Sequence, residues 1–305
     1  MSPVRLHVGT FTRSLLIHVA REAGKFSRAN IEVVEVPVSS SPAQFRSLEA
    51  GDLDLALTSP DNVLAYRFLS DNPLGHNLPL QILLALDGGL GLSLCLEPSL
   101  SNVEEVRGRV LGVDVPESGF AFVAYELLQR AGVGASDYRV ESLGSTPRRA
   151  TALIAGECAA TVLNAGNELR AEGAGCSVVA AANDIGPYVG TVIAALNTED
   201  REVADLQRRF SVALVECANE ILAGDYRSEI LIAARSLLEL NEEQARAHYY
   251  CMRAPQTGLI SDGVLDHRAV QTLVELRRAY RPTTELDTIM DSLDSVIRDS
   301  AAPPR

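Results

Sequence analysis

The sequence predicts an α/β protein of two similar lobes with a helical C-terminal extension, and three observations predict it. One stretch occurs twice: Ser39–Asn62 (SSSPAQFRSLEAGDLDLALTSPDN) lies without gaps on Gly144–Asn167 (GSTPRRATALIAGECAATVLNAGN), with Ser40 on Ser145, Pro42 on Pro147, Leu48 on Leu153, Gly51 on Gly156 and Asn62 on Asn167. The same offset sets Val4–Thr10 on Arg109–Val115 and Ile31–Val38 on Ser136–Leu143, so the repeat spans a lobe. From Glu202 onward, by contrast, apolar residues recur only at helical spacing.

Taken in order, Val4–Thr10 reads as a strand, Ser14–Lys25 as a helix and Ile31–Val38 as a second strand. In the repeat, Ser41-Pro42 and Thr146-Pro147 place a hydroxyl at N-cap and proline at N1, and Gly51 and Gly156 end the helices. Leu53–Leu57 and Ala159–Leu163 are apolar throughout, as strands covered on both faces are. A helix over 61–69, a loop over 71–78 and the strand Leu80–Leu86 follow, and Asp87–Gly91 is the first crossing between lobes, with glycines to absorb hinge motion. Leu92–Leu96, Val110–Val115, Ser177–Ala181 and Tyr188–Leu196 read as further strands, with a helix from Pro116–Ala121 to about Ala131. Lobe one is 1–88 with 190–305, and lobe two is 89–189. Helices are expected over 202–223, 227–239, 242–252, 264–279 and 285–298, capped in part by Asn241 and Thr284, with Ala301–Arg305 as a frayed tail.

A net charge of −13 over 305 residues argues against nucleic acid or an anionic membrane surface as partner. The absence of Trp argues against an aromatic cage. Met1-Ser2-Pro3 runs straight into a strand with no export signal, so the expected location is cytoplasmic, or periplasmic only if a signal has been removed. The odd count of five cysteines without CxxC spacing predicts free, buried thiols rather than disulfides or metal.

No nucleophile elbow, zinc-protease, P-loop or dinucleotide signature occurs, and no cofactor is expected. The five histidines are scattered; His7 and His18 read as structural, as do Asp54 and Asp114. Ligands of open α/β sheets bind beyond the carboxyl ends of the strands. There the chain carries hydroxyls and small turns: Thr10, Ser39, Ser40 and Ser41, Thr58 and Ser59, then Ser118, Gly119, Phe120 and Ala121 at a helix start, Ser145 and Thr146, and Asn164. Arg148 and Arg149 stand at N2 and N3 of their helix, where a cation opposes the macrodipole unless an anion sits in front. The corresponding residues of the first copy are Ala43 and Gln44.

Gly51–Asn62 and Val103–Phe122 (VEEVRGRVLGVDVPESGFAF) resemble the type II periplasmic-binding-protein fold, in particular the group of nitrate-, sulfonate- and taurine-binding proteins and thiamine-pyrimidine precursor synthases. The resemblance covers about residues 4–200. It implies two lobes closing on a ligand by hinge motion, with contacts at Thr10-Phe11, Ser39–Ser41, Thr58–Asp61, Ser118–Ala121 and Asn164; the helix starts, hydroxyls and Arg148 make a small anionic organic molecule the expected ligand. It also implies a transporter permease as partner if the chain is exported. The cysteine-rich motif of the pyrimidine synthases is missing, and with it support for that activity and its iron. The alternative expectation is a cytosolic enzyme on the same fold, a decarboxylase or dehydratase type of lyase, with Asp61, Asp87 or Glu117 as acid or base.

Overall fold

The computed structural model describes residues 2–297. The alternating run Val4–Thr10 is β1, and Ser14 starts α1 (Leu15–Glu22) by accepting from the Ile17 amide. A short α2 (Lys25–Arg28) leads to β2 (Ile31–Pro37), followed by α3 (Ser41–Ala50), β3 (Leu55–Thr58), α4 (Pro60–Phe68) and β4 (Leu80–Asp87). The second lobe holds β5 (Ser93–Leu96), β6 (Val110–Val113), α5 (Gly119–Arg130), β7 (Arg139–Ser142), α6 (Thr146–Ile154), β8 (Ala160–Leu163), α7 (Asn167–Gly173) and β9 (Ser177–Ala181). β10 (Thr191–Leu196) then returns to the first.

The two sheets share one plan, β2-β1-β3-β10-β4 and β7-β6-β8-β5-β9. Four strands of each run in one direction, and each crossing of the chain delivers the single antiparallel strand into the sheet it enters, β5 between β8 and β9 and β10 between β3 and β4. The register corrects the ungapped repeat at its first strand. Val8 pairs with Glu35 in the first lobe and Leu111 with Val140 in the second. Val140 keeps the offset of the repeat, whereas Leu111 stands two residues short of it, so the second lobe has two extra residues between its first strands. A slip of two leaves every side chain on its own face, and the sequence pattern cannot reveal it. The corrected register lays Gly9 on Gly112, where a Cβ would fall 2.6 Å from the methyl of Leu53 or Leu143.

The helix caps also differ by one residue from expectation. Ser40 and Ser145 stand at N-cap, not Ser41 and Thr146, and each proline lies one position further in. Gly51 and Gly156 do take the left-handed conformation, φ 78° and 72°.

The C-terminal block contains α8 (Arg201–Ala223), α9 (Arg227–Leu237), α10 (Glu242–Met252, with Asn241 and Gln244 forming a capping box), α11 (His267–Tyr280) and a short α12 (Ile289–Ser292). It is not helical throughout. Pro255, Gly258 and Gly263 interrupt residues 253–266, which lie along the first crossing; the Gly88 amide donates to Gly258 O (2.9 Å) and the Leu90 amide to Thr257 O (2.8 Å). The helix expected over 285–298 is broken into α12 and flanking 3₁₀ turns, and Thr283 rather than Thr284 caps it. Residue 298 and Ala301–Arg305 lie outside the described residues.

Both faces of the first sheet are covered. One core joins α1, α2, α8, α9 and α10, and the other joins α3, α4, α11 and α12. α11 belongs to both lobes: Ala269, Val270 and Val274 pack in the first, Leu273 and Leu276 in the second. All five cysteines are free, and four are buried. Among the described residues no helix is long and apolar enough to cross a membrane.

Candidate ligand-binding cleft

Four helices begin on one cavity, because each follows the carboxyl end of a parallel strand: α1 after β1, α4 after β3, α5 after β6 and α6 after β7. The N-caps Ser14, Ser59 and Ser118 of the first three and the first residue of α6, Thr146, line it. Ser14 Oγ accepts from Ile17 N (3.3 Å), Ser59 Oγ from Asp61 N (3.2 Å) and Ser118 Oγ from Ala121 N (3.1 Å). The cavity encloses about 970 Å³ of empty space, its open mouth included. Leu57, Leu86, Phe11 and Phe120 supply apolar wall between these polar ends.

Of the residues singled out in the sequence, Phe11, Thr58, Ser59, Asp87, Ser118, Gly119, Phe120 and Asn164 stand on the wall. The others are elsewhere. Thr10 is buried at the end of β1, its carbonyl accepting from the Val38 amide. Ser39 and Ser40 sit on the rim where the lobes meet; the Ser39 carbonyl lies 3.1 Å from where a Gly144 side chain would begin, and Ser40 Oγ caps α3. Ser41 is buried beside Tyr66 and Arg277 in a narrower crevice. Ala121 is in the second core and lends only its amide, to Ser118. Glu117 is exposed and paired with Arg281.

Arg148 is exposed, and its neighbour Arg149 faces the cavity instead. Arg149 is 2% exposed and largely committed, donating to Gly144 O (2.6 Å), Thr146 Oγ1 (3.2 Å) and Val162 O (3.1 Å). Gln44, at the same position of the first copy, donates to Gly9 O (2.9 Å) and Leu57 O (3.1 Å), and Leu57 is the repeat counterpart of Val162. The two side chains are therefore equivalent struts tying a helix start to its neighbouring strand.

Sequence reasoning passed over further wall residues. Asp114, read in the sequence as structural, directly follows β6 and accepts from the Ser118 hydroxyl. Its position after a strand is a usable signal. His248 and Met252 on α10, and Leu238 and Leu259 beside it, also line the cavity, but no local pattern marks a distant helix as cleft wall. Burial pushes the Asp87 carboxyl up to about 6, against the Gly89 amide and Thr191 hydroxyl that hold it down. Burial lowers His248 to about 4, so its imidazole is neutral at neutral pH. Glu168, fully buried near the crossing glycine Gly91, is pushed up to about 8 by burial although the Gly166 amide donates to it (2.9 Å).

No protein-family model and no curated protein matches the chain. Solved structures do. The periplasmic nitrate-binding protein of Synechocystis PCC 6803 superposes with a TM-score of 0.75 at 12% identity, over 98% of this chain and 86% of that one. The alkanesulfonate-binding protein of Xanthomonas axonopodis pv. citri, bound to MOPS, gives 0.72 at 13% identity over 92% and 95%. A conserved gene product of Candida albicans with the generic periplasmic binding protein fold gives 0.72 at 14% identity over 100% and 99%. This chain has the periplasmic-binding-protein fold.

In this binding-protein fold the cleft is bridged by α11. Arg277 Nε and Nη2 donate to the two oxygens of Asp61 on α4 (2.9 and 2.6 Å), and Nη2 also donates to Glu117 O of the second lobe (3.1 Å). Its guanidinium lies 4.9 Å from the Phe122 ring centre. Asp61, expected on the cavity wall, is thus drawn behind it into a buried ion pair with Arg277. One turn on, Arg281 pairs with Asp71 of the first lobe (2.8 Å) and with Glu117 of the second.

Proposed function

We propose that this chain is a solute-binding-protein-like molecule that closes its two lobes on a small anionic organic ligand. The observation that carries the reading is the meeting of four helix N-termini, two from each lobe, on one cavity. Each N-terminus acts as roughly half a positive charge with unused N–H groups, so four of them favour an anion. Arg13 and Arg149 on the wall add to that field. Against this field stand two acidic wall residues, Asp114, which accepts from the Ser118 hydroxyl, and Asp87, whose carboxyl burial raises to about 6. Hinge motion has a place to occur, since Gly89 and Gly91 in the crossing have φ of 122° and 80°. The nitrate- and sulfonate-binding neighbours support the ligand class, and a transporter permease is the partner such a binder would serve outside a membrane.

Calorimetric titration with carboxylates, sulfonates and neutral pyrimidine-like compounds tests this. Anionic members are expected to bind. Asn164→Asp, which adds a negative charge to the wall, is expected to weaken them about tenfold or more while the melting temperature changes little. Equal binding by parent and variant would refute an anion at this position.

A further inference from the structure

The C-terminal helices give the cleft a third wall. Leu238, Met252 and Leu259 line it together with Leu16 and Leu90, and all five belong to or pack against one apolar core. His248 stands among them. It is 1% exposed, its Nδ1 is buried without a partner beside Gly166, and no hydrogen bond joins the ring to a described residue. A buried polar group left without a partner destabilises the protein that holds it, and such groups are few in folded chains. Nε2 has no hydrogen-bond partner among the described residues either, and because the ring sits on a cavity wall a bound molecule can supply that one.

We propose that His248 is a specificity-determining residue and that the ligand is amphipathic, with an anionic head at the helix N-termini, an apolar body along the third wall, and a hydroxyl-like group at its far end bonded to His248. The proposal rests on the anion-binding reading above and adds the ligand's other end. Nδ1 is shut against Gly166, which leaves Nε2 as the atom of contact. A hydroxyl both donates and accepts, so it suits either tautomer of the neutral ring. An inorganic oxyanion would fill the polar end and leave this chamber empty.

The test titrates medium-chain ω-hydroxycarboxylates and ω-hydroxysulfonates, and the same chains ending in methyl, into the full chain and into His248→Leu and His248→Gln. Melting curves are recorded for all three without additive. The parent is expected to prefer the hydroxylated chains about tenfold, His248→Gln to keep a preference, and His248→Leu to lose or reverse it. Unliganded His248→Leu is expected to melt higher than the parent, because an unpartnered polar ring has been replaced by an apolar side chain. A lower melting temperature, or failure to fold, would show a histidine needed for structure and overturn the proposal. Binding of both chain types to the parent without preference overturns the assignment of His248 and leaves the cleft reading standing. Binding of none of them overturns the anion-binding reading, and this proposal with it.

Discussion

Replacing Arg277 by leucine is expected to destabilise the protein by about 3–5 kcal/mol, the usual cost of removing one partner of a buried ion pair. The geometry supports the upper part of that range. Asp61 and Arg277 are 1% and 4% exposed, and two hydrogen bonds of 2.9 and 2.6 Å join them. Without the guanidinium the Asp61 carboxylate stays buried, relieved only by the first turn of α4 at about 0.3–1 kcal/mol. The Glu117 carbonyl loses a donor, about 1 kcal/mol, and the Phe122 ring loses its cation. Because Asp61 belongs to one lobe and Glu117 and Phe122 to the other, the cost falls on the closed arrangement. Urea unfolding of Arg277→Leu, Asp61→Asn and the double variant measures it, and small-angle scattering reads the opening as a larger radius of gyration. The double variant is expected to be more stable than Arg277→Leu alone, since no uncompensated charge remains. A loss below about 1 kcal/mol, or a double variant no better than the single one, would refute the reasoning by showing a pair that water already solvates.

Two further outcomes follow from other residues. Arg149→Gln places in the second lobe the strut that the first lobe uses, and is expected to cost less than Arg149→Met, which leaves the Val162 and Gly144 carbonyls without their donor at about 1–3 kcal/mol; equal melting temperatures would show that the hydrogen bonds contribute nothing. Glu168 has a carboxyl raised by burial from 4.5 to about 8, so the stability of its neutral form is full below the ordinary value and is lost as pH rises through about 8. Glu168→Gln removes that loss, and its melting temperature is expected to gain on the parent between about pH 5 and pH 9; a pH-independent difference would show that Glu168 does not titrate there.

Much of the architecture is legible in the chain because it is written in local chemistry. Capping hydroxyls, prolines near helix starts and left-handed glycines mark both copies, and apolar strands between them imply helices on both faces. The strand ends point to a cleft, and Thr58, Ser59, Ser118 and Asn164 are on its wall for the reason that places any ligand there in an open α/β sheet. The failures are non-local. Arg148 and Arg149 are adjacent in sequence, and only packing against Val162 decides which one turns inward. Asp61 has the right position for a ligand contact, and it is claimed by an arginine more than two hundred residues away. His248 lies in a helix whose pattern shows one apolar face, with no sign that the face borders a cavity. The two-residue slip in the first repeat strand is invisible for a different reason: period-two structure conserves facing under it.

The sharing of α11 between two cores also orders events in time. A chain made from its N-terminus completes both sheets when β10 emerges, yet the second core still lacks Leu273 and Leu276 and the cleft still lacks Arg277. Domains of a nascent chain generally fold as they appear, and here the two halves must wait together, apolar flanks uncovered, for a helix synthesised some seventy residues after β10 ends. A ribosome stalled before α11 would therefore display two sheets without the helix that packs against both lobes.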